Sequence, residues 1–274
     1  MSLNFNNIVV FAKLNDPEAA KVAAELGQCI VDLGCNLLNE NDTGDLETAD
    51  IAIVVGGDGT LLDVSRKVAP LDIPIAGVNL GRLGFLVDIQ REDMHTTLQH
   101  ILYGKYREEK RIMLRAEIFR AGESIHQSEA LNDVVVSKGE LARLIEFETL
   151  VDEHHVNTAR ADGIIIATPT GSTAYALSAN GPILHPTLEA IALVPICPHT
   201  LSNRPLVIDS ASAVRIRMLD SGKQNSYVSF DGQSSISLND GDFVDIGMAE
   251  HSVRLLRPLK HSHYDVLRAK LGWG

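Results

Sequence analysis

The 274-residue chain has only three cysteines, Cys29, Cys35 and Cys197. They lack the paired two-to-four-residue spacing of zinc ligands, so buried, reduced thiols are expected and a zinc site is not. No apolar stretch approaches the roughly 20 residues needed to span a bilayer. The opening Met1-Ser2-Leu3-Asn4-Phe5-Asn6-Asn7 lacks the basic and apolar regions of a signal peptide, and a cytoplasmic location with no membrane partner is the expectation. Positive charge is scarce: 24 Lys and Arg stand against 36 Asp and Glu, a net charge of -12. That balance argues against a nucleic-acid partner and repels a free nucleotide at long range. Binding a phosphate ester would need local basic residues or a divalent cation. Arg66, Lys67, Arg82, Lys138, Arg143 and Arg160 are the candidates, each by default a surface charge. The dinucleotide fingerprint Gly-x-Gly-x-x-Gly and the P-loop Gly-x-x-x-x-Gly-Lys-Ser/Thr are both absent, which disfavours an ordinary redox enzyme and a Walker-type ATPase. No repeat, low-complexity tract or charge run is found, and no carboxylate cluster announces a metal site.

With 45% hydrophobic and 22% charged residues, the chain reads as globular and long enough for one large or two modest domains. Strand and helix signals alternate over the first hundred residues, as an open, mostly parallel α/β sheet requires. Strands are expected at Ile8–Phe11, from Asn36, over 50–55 and over 73–78. Helices are expected after Asp16-Pro17, from Thr60 to about Ala69, and over 92–103. After Lys110, alternating segments such as 112–118, 214–218 and 252–256, separated by Gly, Asn, Asp and Ser, make the remainder mostly β. A helix is expected within 171–179 and another over 264–271. The domains are placed at 1–108, α/β, and 109–258, β-rich, with the tail 259–274 packing back on the first.

Three segments carry chemistry. Gly56-Gly57-Asp58-Gly59-Thr60 follows the buried strand directly, at the carboxyl end where open α/β sheets bind ligands. Its glycines let backbone amides approach a phosphate. A tight turn with a capping Asp explains the same residues. Asn132-Asp133 precedes a β-branched run, as a simple turn or as a clamp for a ribose. The third is Asp162-Gly163, running through an apolar strand into Thr168-Pro169-Thr170-Gly171-Ser172-Thr173-Ala174-Tyr175. Its hydroxyls and amides suit either a nucleotide or a Thr/Ser-rich helix start.

In this order the three segments resemble the NAD kinase family. Leu83-Gly84-Phe85-Leu86, Leu177-Ser178-Ala179-Asn180-Gly181-Pro182-Ile183 and the Lys270-Leu271-Gly272-Trp273 ending extend the match over nearly the whole chain, in the Gram-negative bacterial style. The resemblance implies the two-domain NAD kinase/diacylglycerol kinase-like fold. It implies transfer of the γ-phosphoryl group of ATP to the 2′-hydroxyl of the adenosine ribose of NAD, giving NADP. Asp58 is then the proton acceptor, with proton removal late and positioning its larger share. Gly57 and Gly59 would cradle phosphates, with Mg2+ or another divalent cation bridging those of the donor; its ligands are left unassigned.

Around NAD the family implies Asn132, Asp133, Asp162, Thr173, Ala174, Tyr175, Ala176, Leu177 and Ser178, with Phe85, Arg143, Arg160 and Gln233 as further contacts. A homodimer or homotetramer is implied as well. Asp133 departs from the family's common Asn-Glu, shortening the side chain by one methylene, and Thr60 stands where some relatives carry Asn. The competing readings are another kinase with a Gly-Gly-Asp-Gly loop, such as a lipid kinase, and a non-catalytic dinucleotide sensor. The lipid kinases' Gly-Thr-Gly-Asn-Asp loop is absent, and the sensor's expected loss of Asp58 has not occurred.

Overall fold

The computed structural model describes residues 3–81, 83–139, 144–200, 202–219 and 226–273. The chain divides into two compact units, residues 1–110 with 252–274, and residues 111–251. The second boundary falls inside a strand, ahead of the expected division after 258. In the first unit β1 (Asn7–Ala12), α1 (Pro17–Asp32), β2 (Asn36–Leu38), α2 (Thr43–Glu47), β3 (Ile51–Gly56), α3 (Asp58–Val68), β4 (Ile75–Asn79), β5 (Ile89–Gln90) and α4 (Met94–Leu102) follow in turn. All pairings among these strands are parallel, in the order β4-β3-β1-β2 with β5 beside the end of β4.

Local sequence accounts for these elements. Asp16 accepts hydrogen bonds from the amides of Glu18 and Ala19 at 3.1 and 3.2 Å, starting α1 with Pro17 in its first turn. Ala19, Val22, Leu26 and Ile30 then recur on the buried face of α1. Every residue of β3 is buried, because helices cover both faces of a parallel sheet. The 92–103 expectation resolves into a 3-10 turn at Arg91–Asp93 followed by α4. The short α2, capped by Asp42, had no expectation attached to it.

The chain leaves the first unit within β6 (Arg107–Arg120) and returns within β17 (Phe243–Arg257). Between them lie β7 (Glu123–Ala130), β8 (Asp133–Lys138), β9 (Ile145–Val151), β10 (His154–Ala161), β11 (Gly163–Ala167), α5 (Tyr175–Ser178), β12 (Ala190–Ile196), β13 (Leu206–Asp209), β14 (Val214–Met218), β15 (Ser226–Phe230) and β16 (Ser234–Leu238). A six-stranded antiparallel sheet runs β13-β12-β11-β8-β15-β16. Val134, Val136, Ile164 and Ile166 from one of its faces share a core with Phe147, Ile216 and Val244 from β9, β14 and β17. Val135, Ile165 and Ala167, on its other face, pack with Ala176 and Leu184. Both faces of β8 and β11 are therefore buried, which explains why their sequences read as unbroken apolar runs.

The end of β17 belongs to the first unit, where Leu255 pairs in parallel with Ile75. There too lies α6 (His263–Leu271), capped by Ser262 and closed by Gly272 in the left-handed conformation.

Candidate active site

Asp58 stands in the first turn of α3, immediately after Gly57, the residue that caps the helix. Its carboxylate is received by three successive backbone amides: Phe85 donates to Oδ2 at 2.9 Å, and Leu86 and Val87 donate to Oδ1 at 3.0 and 3.1 Å. Such a nest of amides is an anion site, and here the anion is a side chain of the same chain. Oδ1 carries two of the three bonds and Oδ2 one, so Oδ2 keeps acceptor capacity for a further donor.

Two glycines make the arrangement possible. A Cβ on Gly84 would lie 2.2 Å from Oδ1 of Asp58, and one on Gly77 of β4 would lie 2.7 Å from Cγ1 of Val87. Gly57 and Gly59 differ, since a Cβ on either meets nothing within 4 Å. Packing does not demand glycine at these two positions.

Beside them is a cavity of about 450 Å3 lined by Ala12, Lys13, Asn41, Gly57, Gly59 and Thr60. It opens at the carboxyl ends of β1 and β3. The chain turns one way from β1 to β2 and the other from β3 to β4, which makes this the topological switch point where α/β sheets take ligands. Of the first-unit cations, Arg66 and Lys67 lie 3.3 and 3.5 Å from Asp63. Arg82, like Arg143, falls outside the described residues. Phe85 is half-buried, with the Lys270 ammonium 6.0 Å from its ring centre.

In the second unit the structure brings Asn132-Asp133 against the 168–173 turn. Asn132 O accepts from the Thr168 amide at 2.9 Å, and a Cβ on Gly171 would lie 2.0 Å from Asn132 O. Thr168 Oγ1 donates to Leu131 O at 2.6 Å, and Ser172 Oγ donates to Pro169 O at 2.6 Å while accepting from the Leu184 amide at 3.0 Å. Both hydroxyls are buried and are occupied in shaping the turn. Thr173 bonds back to Thr170 O at 3.2 Å.

The helix expected over 171–179 is broken in two, a 3-10 turn at Gly171–Thr173 and the single turn α5, with Ala174 between them at φ -99° and ψ -127°. On α5 Tyr175 and Ser178 are exposed and Leu177 is half-buried. Ala176 is wholly buried, and its carbonyl accepts from the amides of Ala179 and Gly181 at 3.2 and 2.8 Å.

Asp133 is 4% exposed, and burial, then the negative charge of Asp231, push its carboxyl up to about 7. Asp231 occupies the turn between β15 and β16 at φ 51°. Its carboxylate accepts from the amides of Leu131, Asn132 and Asp133 at 3.1, 2.7 and 3.2 Å. Asp231 thus holds the Asn132-Asp133 pair in place. Gln233 is exposed two residues on, its amide donating to Phe230 O at 2.9 Å. Asp162 lies 2.7 Å from the Lys138 ammonium, so the cation foreseen for a phosphate is already partnered. Arg160 is exposed on β10.

Sequence reasoning passed over Asp231, although Asp231-Gly232 is a turn signal, and it gave no role to Gly84 beyond the family match. The expectation of three buried thiols holds for Cys35; Cys29 is half-buried and Cys197 exposed. A larger cavity, about 530 Å3, lies among Arg115, Leu150, Arg215, Asp245 and Met248. None of the expected site residues lines it, and its Arg215 is already hydrogen-bonded to Asp245 through Nε and NH2, so it is not taken as the active site.

The sequence matches the profile described as the ATP-NAD kinase N-terminal domain over residues 36–106 and that of the ATP-NAD kinase C-terminal domain over 131–258. An NAD kinase of Nitrosococcus oceani is 45% identical over 289 aligned positions covering 100% of this chain and 99% of its own. One from Azoarcus sp. (strain BH72) is 51% identical over 82% of this chain and 76% of its own. Among solved structures, an NAD kinase from Archaeoglobus fulgidus in complex with ATP superposes with a TM-score of 0.75 at 27% identity, covering 96% of this chain and 98% of its own. Yeast NADH kinase complexed with NADH gives a TM-score of 0.88 at 23% identity over 98% and 88%, a likeness of fold.

Proposed function

This chain belongs to the NAD kinase family and is a phosphotransferase acting on NAD, and we propose that Asp58 is its catalytic carboxylate. The observation that carries this reading is the amide nest, which fixes Asp58 while leaving Oδ2 able to accept a hydrogen bond. The incoming donor is the 2′-hydroxyl of the adenosine ribose of NAD. Oδ2 orients that hydroxyl toward the γ-phosphorus of ATP and takes its proton late, as the new oxygen–phosphorus bond forms and the bond to ADP breaks. The product is NADP.

The ATP phosphates rest over the amides of Gly57 and Gly59, beside the cavity at the ends of β1 and β3; the Archaeoglobus enzyme, of the same fold, was solved in complex with ATP. Among the described residues no three His, Cys, Asp or Glu side chains converge into a metal cage. A divalent cation such as Mg2+ would supply charge neutralisation at the donor's phosphates. The dinucleotide is recognised by Asn132, Asp133 and Asp162 and by the exposed side of Thr173–Ser178, with Tyr175 offering a half-exposed ring. Arg143, Arg160, Gln233 and Phe85 are secondary contacts, and a homodimer or homotetramer is the proposed assembly. A cytoplasmic setting suits these substrates, and none of the described helices is long and apolar enough to cross a membrane.

The test is NADP formation from NAD, ATP and Mg2+, read with an NADP-specific dehydrogenase, for the wild type and Asp58→Asn. A fall in kcat of about 100-fold or more with NAD affinity retained is expected. Full activity in the variant would remove Asp58 from the chemistry.

A further inference from the structure

We propose that Arg257 is a positioning residue for phosphoryl transfer: it fixes the two peptide groups that hold Oδ1 of Asp58, and through them the direction in which Oδ2 is presented. This rests on the reading of Asp58 given above. Arg257 ends β17, and its side chain is 1% exposed. NH1 donates to Leu86 O at 2.6 Å and NH2 to Phe85 O at 3.1 Å. The Phe85 carbonyl and the Leu86 amide belong to one peptide group, and the Leu86 carbonyl and the Val87 amide to the next. Both amides donate to Asp58 Oδ1. Each peptide is therefore drawn between a guanidinium on its oxygen and a carboxylate on its N–H, and hydrogen bonds in such a chain polarise one another.

The residue type suits this task. A guanidinium presents several N–H donors in a rigid plane and can reach two successive carbonyls at once, whereas an ammonium is a single point. The rest of the group is balanced by anions: Asp88 Oδ1 lies 3.2 Å from NH1 and Glu109 Oε2 3.6 Å from Nε. His261 Nδ1 stands 2.7 Å from Asp88 Oδ2. Burial pushes the Asp88 carboxyl up, but Arg257 and then His261 outweigh it and hold it below its ordinary value. Replacing a buried ion pair by apolar packing is often neutral for stability, so stability alone gives little reason for this cluster. The two shortest contacts of Arg257 itself instead end on the peptides that grip Asp58.

Arg257→Lys keeps the charge and loses the fork. The double variant Arg257→Met with Asp88→Asn removes the guanidinium together with the carboxylate nearest it and leaves Glu109 its contact with Arg107. Steady-state kinetics on the full chain, thermal melts and amide hydrogen exchange would be measured beside Asp58→Asn. The expected result is a fall in kcat of about 10- to 100-fold, KM for NAD and ATP held within about twofold, and faster exchange at the Leu86 and Val87 amides. Unchanged kcat, a loss confined to KM, or undisturbed exchange at those two amides in a folded variant would overturn it. An inactive Asp58→Asn beside fully active Arg257 variants sinks this proposal alone. A fully active Asp58→Asn sinks the reading of Asp58 and this proposal with it.

Discussion

Two carboxylates in this molecule, Asp58 in the first unit and Asp231 in the second, are each received by three consecutive backbone amides, 85–87 and 131–133. The device is the same and the surroundings are opposite. Behind the first nest stands the Arg257 guanidinium on the far side of the peptides. Beside the second stands another acid, Asp133, whose carboxyl is driven up to about 7. In one case a guanidinium backs the peptides and the gripped carboxylate is the proposed working group. In the other the gripped carboxylate is scaffolding, and the proposed ligand contact is its neighbour, which burial and then the Asp231 charge push toward the neutral form. A backbone nest fixes where a carboxylate sits, while the second layer of charge decides which chemistry the location supports.

The comparison breaks most visibly at Gly84. Gly84→Ala places a methyl 2.2 Å from the present position of Asp58 Oδ1, and the carboxylate must move. An activity loss of about 100-fold is expected, and kinetics on a variant whose melting curve is still cooperative would check it. Asp231→Asn attacks the other nest by turning an amide group toward three N–H donors. A destabilisation of about 3 kcal/mol and a raised KM for NAD should follow, read by denaturant titration and by initial rates. Wild-type stability after that change would mean that the second nest is not structural.

The charge behind the second nest has a pH signature. Asp133 holds a proton in the fold between about pH 4 and about pH 7 that the unfolded chain has released. The stability this contributes is complete below its ordinary value of 3.8 and is lost as the pH rises through about 7. Between pH 5 and 8 the wild type should therefore lose about 2 kcal/mol that Asp133→Asn keeps. Parallel slopes for the two proteins would count against the raised value. The smallest structural effect is expected at Gly57, where no neighbour obstructs a methyl. Gly57→Ala should cost under about 1 kcal/mol of stability yet weaken ATP binding, separating a glycine kept for a ligand from one kept for packing.

Much of this was legible in the sequence. An unbroken apolar run into Gly-Gly-Asp-Gly marks a buried strand and a helix start, and Asp16-Pro17 marks a cap, because these signals are local. The string 168–175 was legible as a special turn but not in its detail, since a hydroxyl's direction depends on which carbonyl folds above it. Thr168 and Ser172 point inward for that reason. Arg257 was out of reach altogether: its hydrogen-bond partners lie 171 and 172 residues away, and an arginine at the end of a strand carries no sign of where its guanidinium goes. Asp231 fell between these cases, its turn visible from Asp-Gly and its long-range acceptor role not.

The order of residues along the chain also has a consequence during synthesis. Asp58 and the loop that grips it leave the ribosome early, whereas Arg257 and His261 come from the later segment that returns to the first unit. The whole second unit is translated in between. A nascent chain can thus lay down the parallel sheet around Asp58 long before the last strand arrives to brace it. Competence for phosphoryl transfer would then be acquired only once Arg257 has emerged. A product truncated just ahead of it would carry all three of the motif segments while lacking the strand end that steadies its central carboxylate.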